Sequence, residues 1–132
     1  STRKESSAAS DVYKRQLQRR SWEFIAGTAP HRAEQNPNDL AQRELREETG
    51  YRAATVTKVG CIDVAPGFVD QVQHVFLMRD LTPGSPERED TEADIVCRWW
   101  PLPKLKKSIS AGLINDAQTL AAWSLVQLHV EF

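Results

Sequence analysis

Three glutamates and two arginines crowd the stretch "AQRELREETGY", Ala41 to Tyr51. On a helix, Glu44 and Glu48 lie four residues apart and Glu47 lies three from Glu44, so their carboxylates share one face. Like charges at that spacing cost an isolated helix roughly 0.2–0.5 kcal/mol per pair. Near a helix C-terminus they also oppose the macrodipole. A solvated acidic face is the ordinary reading of such a cluster, yet neither helix stability nor capping accounts for it. Seating a hard divalent cation does. Magnesium takes oxygen ligands and keeps waters and substrate phosphates in its shell.

The element that must present these carboxylates is legible locally. Asn36 followed by Pro37 reads as an N-cap and first helical position. Leu40, Ala41 and Leu45 supply a narrow apolar stripe, and Gly50 suits the left-handed position that ends a helix. Upstream, "RRSWEFIAG" (Arg19 to Gly27) reads as a strand running into a polar loop. Downstream, "YRAATVTKVGCIDVA" predicts one or two strands and "HVFLMRDL" (His74 to Leu81) a buried one. "TPGSPEREDTEAD" is an acidic, turn-rich loop and "IVCRWWPL" another strand. A short helix falls in "LPKLKKSISAGL". A longer one follows in "NDAQTLAAWSLVQLHVEF", with Leu120, Trp123, Leu125 and Leu128 supplying much of its buried surface. Helices interleaved with strands make the class α+β, with helices laid against a mixed sheet as a sandwich.

At 132 residues the chain has one domain's worth of sequence. The net charge of -1 offers no general affinity for nucleic acid, and no run is long and apolar enough to span a bilayer. Composition thus points to neither a nucleic-acid nor a membrane partner. Cys61 and Cys97 are too far apart for a zinc-ligand spacing and too few for a disulfide framework; they are expected as buried free thiols of a cytoplasmic protein. The opening "STRKESSAASDVYKRQ" is Ser-rich, charged and without periodicity, the composition of a disordered tail. "DVYKRQ" (Asp11 to Gln16) also resembles the translation of a transposon end used in sequencing libraries. Residues 1–16 are thus expected to be foreign, and 17–132 to be one domain lacking its own N-terminal strands.

"RELREETGY" is similar to the REUxEExGU segment, U being bulky and apolar, at the heart of the Nudix box. The match runs through Arg43, Glu44, Leu45, Glu47, Glu48 and Gly50, with Tyr51 at the last bulky position. The upstream half departs from the pattern: six residues separate Gly27 from Glu34 and eight more separate Glu34 from Arg43, one more in each gap than usual. "WEFIAGT", Pro66 of "APGF" sixteen residues after Gly50, and "GLINDAQTLAAWSL" resemble the ADP-ribose pyrophosphatase-like subgroup.

The resemblance implies a Nudix-type α/β/α sandwich that cleaves a nucleoside diphosphate linked to another moiety. Glu44 and Glu48 would bind magnesium (or manganese), with Glu47 a further ligand and the Ala26 carbonyl completing the site. Arg43 would hold a glutamate of the cluster by a charge-assisted pair. The general base would come from the acidic loop, with Glu92 first and Glu89 second. Pro66, Gly67 and Phe68 would line the ribose pocket. The full-length parent would be a homodimer. His74 and Arg79 read as ordinary strand residues, and at least one of Trp99 and Trp100 as core. Two rival readings remain: a Nudix hydrolase of another nucleoside diphosphate derivative, and a non-catalytic nucleotide-binding module. Such modules usually lose box glutamates, whereas all three are present here.

Overall fold

The computed structural model describes residues 6–14, 19–25, 36–85 and 96–129. Along the chain run strands β1 (Ser6–Lys14) and β2 (Arg19–Phe24), helix α1 (Pro37–Thr49), strands β3 (Arg52–Val64), β4 (Gln71–Thr82) and β5 (Val96–Pro101), and helices α2 (Leu102–Ser110) and α3 (Ala117–His129). The class is α+β, as the sequence predicts. β2, β1 and β5 form a three-stranded sheet in that order, and β3 pairs with β4. Each pairing among the described residues is antiparallel, where a mixed sheet was expected. A short turn suffices for the sequence neighbours β1–β2 and β3–β4; β5 reaches β1 from far along the chain.

The opening segment corrects the sequence reading. Ser6–Lys14 is expected to lack regular structure, yet it is the middle strand of its sheet, pairing Ala9 with Phe24 on one side and Ser7 with Trp100 on the other. Strand pairing is made by backbone groups, so a polar segment with few β-formers can still be drawn in where two partners offer free edges. Composition carries no information about such partners.

The chain divides into two compact units, Ser1–Ile25 with Arg88–Leu120, and Ala26–Glu87 with Ala121–Phe132. In the first, Trp100, Leu102, Leu105 and Ile114 are buried. Trp22 meets Trp100 edge-on, with ring centroids 5.1 Å apart, a geometry that suits the aromatic quadrupole. Asp116 begins α3 by accepting hydrogen bonds from the Thr119 N–H at 3.0 Å and the Thr119 hydroxyl at 2.8 Å. The same hydroxyl accepts the Phe24 N–H at 3.0 Å, which ties β2 to the first turn of α3. Trp99 is exposed while Trp100 is core, the alternation a strand imposes.

In the second unit, α1 packs on β3 and β4, and Leu45, Val59, Val75, Ala122 and Trp123 are buried. The β3–β4 register slips between Lys58 and Gly60, which leaves Val59 as the extra residue of a bulge and buries its side chain. In α3, Trp123 is buried and Leu120 and Leu125 half-buried, but Leu128 is 79% exposed, against expectation. Helical spacing says which residues share a face, not how far the surface covering that face extends. The cysteines are also corrected: both are free, but Cys61 is exposed and Cys97 half-exposed. Among the described residues no helix is long and apolar enough to cross a membrane.

Candidate functional site

α1 starts and stops where its local signals lie. The Asn36 side chain accepts the Asn38 N–H at 2.8 Å with Pro37 in the first turn, which satisfies one of the orphan donors of a helix N-terminus. At the other end Gly50 takes a left-handed φ of 78° and donates its N–H to the Arg46 carbonyl at 2.9 Å. The Thr49 hydroxyl donates to the Leu45 carbonyl at 2.6 Å and accepts the Tyr51 N–H at 3.0 Å. A second constraint acts on Gly50: a Cβ there would lie 2.2 Å from the Gly84 carbonyl oxygen. Glycine is required both by backbone conformation and by the close approach of another chain segment. Gly84 carried no signal in the sequence, because its role is a contact made 34 residues away.

The helix so placed turns two of its carboxylates inward. Glu44 is 7% and Glu48 5% exposed, and neither is without a partner. A carboxylate withdrawn from water costs several kcal/mol, on the order of a whole side chain's hydrophobic gain, unless charge or hydrogen bonds compensate it. A merely solvated acidic face would leave both in water. Glu47 lies beside them, with its Oε1 3.6 Å from Arg43 Nε. That is an ion pair too long for a hydrogen bond, and Arg43 Nε has no hydrogen-bond acceptor. Arginine preceding glutamate is the weaker order for an (i, i+4) pair, so helix stability gains little from it.

The donor set suits a hard cation: carboxylate oxygens one turn apart on one face. The fit is incomplete as it stands, since no three His, Cys, Asp or Glu side chains converge on a metal position among the described residues. Glu47 inclines toward Arg43. The Ala26 carbonyl lies outside the described residues, as do Glu34, Glu89 and Glu92.

Pro66, Gly67 and Phe68 occupy the turn between β3 and β4, where the N–H groups of Phe68 and Val69 both donate to the Ala65 carbonyl. Ala65 holds a left-handed φ of 47°, a conformation costing an L-residue about 1–2 kcal/mol. The turn presents Phe68 at 93% exposure. It borders an open concavity of about 440 Å³ lined by Asp63, Pro66, Phe68, Asp70 and Val72 among others, with no residue of α1. The structure therefore brings Glu44, Glu47, Glu48 and Arg43 together on one helix and Pro66 to Phe68 on one turn; among the described residues, the concavity beside that turn takes in none of α1. Arg79 is exposed near the end of β4. His74 has a partner the sequence did not reveal: its Nδ1 lies 3.4 Å from Cys61 Sγ. Only the strand register could have disclosed that pairing.

Known proteins share this pattern. The family model described as NUDIX domain matches residues 10–122. An ADP-ribose pyrophosphatase of Mycobacterium tuberculosis is 36% identical over 110 residues, covering 83% of this chain and 53% of the relative. An ADP-ribose pyrophosphatase of Bacillus subtilis is 34% identical over 117 residues, covering 88% of this chain and 62% of the relative. The chain thus spans between half and two thirds of these relatives' length. A solved structure of an ADP compounds hydrolase superposes with a TM-score of 0.82 at 21% identity, over 96% of this chain and 66% of the other; the shared feature is the fold. With the box helix in place and the family match running through most of the sequence, the chain belongs to the NUDIX domain family.

Proposed function

We propose that this chain carries the catalytic helix of a magnesium-dependent hydrolase. It would cleave the diphosphate of ADP-ribose, or of a related nucleoside diphosphate sugar, to AMP (or another nucleoside monophosphate) and a sugar phosphate. The observation that carries this reading is that α1 buries Glu44 and Glu48 one turn apart on the face the box motif assigns to the metal, where their oxygens form a donor set of the kind a hard cation takes. The names of the relatives support the substrate class.

Glu44 and Glu48 would hold the ion, with Glu47 and the Ala26 carbonyl as further oxygen donors. When bound, magnesium supplies neutralisation of the diphosphate charge and a more acidic water. Arg43 restrains Glu47 from the adjacent turn, at the 3.6 Å separation observed. Glu92, with Glu89 as second choice, would take the proton of the attacking water. The exposed ring of Phe68, with Pro66 and Gly67, offers an apolar surface to a ribose.

The test is product identification with magnesium or manganese and a panel of ADP-ribose, other nucleotide sugars, dinucleotides and nucleoside triphosphates. AMP and ribose phosphate from ADP-ribose are expected. Selective turnover of a triphosphate, or binding without turnover, would replace this reading with one of its rivals. Glu92→Gln should slow turnover by about 10²- to 10⁴-fold; a change under about threefold would move the base elsewhere.

A further inference from the structure

β3 and β4 set a nucleophile and a base against each other across the hairpin. Cys61 and His74 are register partners across the two strands, and Cys61 Sγ lies 3.4 Å from His74 Nδ1. Backbone pairing of the strands holds the two groups together, so little ordering is needed to bring them into contact. The thiol is free and exposed, open to a reagent from solvent. There is also room beside it. Asp63 and Val72 are the next register pair on the same face, and both line the concavity at the end of the hairpin. An accessible thiol, a hydrogen-bonded imidazole and an adjoining open hollow are the three features that a thiol-exchange site needs.

We propose that Cys61 is a thiol-modification site that takes low-molecular-weight disulfides of the glutathione class, with His74 as the group that accepts its proton. The thiol proton passes to Nδ1 as Sγ attacks one sulfur of the incoming disulfide. A new S–S bond forms to Cys61, the original S–S bond breaks, and the departing thiolate takes the proton from the imidazole. Cys61 is oxidised and the leaving half of the disulfide is reduced, so no other oxidant is required. The second thiol, Cys97, is half-exposed. The proposal does not rest on the hydrolase reading, and its test does not use turnover.

The experiment treats the protein, in a Cys97→Ser background, with oxidised glutathione and follows adduct formation by intact mass and peptide mapping. One adduct is expected at Cys61, formed about 10-fold faster in the folded protein than in the same protein unfolded in guanidinium. His74→Asn, which keeps a polar group at the Nδ1 position but accepts no proton, should bring the folded rate down to the unfolded one. No adduct, or a folded rate no higher than the unfolded rate, would overturn the proposal. So would an unchanged rate in folded His74→Asn protein. Were His74→Asn to fail to fold, the folded-against-unfolded comparison on the Cys97→Ser protein decides alone.

Discussion

α1 and α3 are both thirteen residues long, and they bury opposite kinds of side chain. α1 is polar along most of its length, yet its buried residues are Glu44, Leu45 and Glu48. α3 is rich in leucine, alanine and tryptophan, yet it leaves Leu128 standing 79% in solvent while Glu48 on α1 is only 5% exposed. Hydrophobicity alone would have ordered these two the other way. The difference separates two uses of a helix. α3 buries Ala122 and Trp123, which removes apolar surface from water, and one polar residue, Thr119, whose hydroxyl is hydrogen-bonded to Asp116 and Phe24. α1 gives up hydration of two carboxylates, a cost met only by charge or hydrogen-bond partners, and in the proposed reading it holds them for a cation.

The contrast can be broken from either side, and Trp123→Ala should do so most severely. Truncating this buried indole is expected to cost about 3–5 kcal/mol, a large share of the stability of a domain this size, read as a fall in the chemical-denaturation midpoint. A shift below about 1 kcal/mol would show that α3 is not a packing element. Glu48→Gln comes next: it should reduce magnesium-dependent turnover by about 100-fold or more while keeping its volume. Its melting temperature sharpens the point. A steady melting temperature with lost turnover and weaker manganese binding assigns Glu48 to chemistry, whereas a steep fall would make it a structural ion-pair partner like any other.

Gly50→Ala should destabilise by about 2–3 kcal/mol, because the left-handed φ is strained for alanine and the added carbon collides with the Gly84 carbonyl. A neutral result would mean that the end of α1 is free to move away from residue 84. Leu128→Gln should change stability by less than about 0.5 kcal/mol; a larger loss would reveal that the exposed leucine is covered in solution.

Some of this was legible from single residues and some was not. Asn36, Pro37 and Gly50 bound α1 correctly, since capping and the left-handed stop are settled within one turn of chain. The grouping of Glu44, Glu47 and Glu48 on one face followed from helical spacing. Their unequal surroundings did not: Glu47 keeps its arginine while Glu44 and Glu48 turn inward, which depends on what α1 packs against. The polar opening segment was misjudged for the same reason. Nothing within Ser6–Lys14 announces a strand; the partners β2 and β5 create it.

By itself, then, the order of amino acids determined the helix ends, the strand–helix alternation and the acidic motif that marks the family, because each depends on neighbours a few positions away. Tertiary structure alone decided which acids leave water, that Gly84 stands against Gly50, that Cys61 meets His74, and that residues 6–14 complete a sheet. Those are contacts between segments far apart in the chain, and their energies come from surfaces and backbone groups that no local window contains.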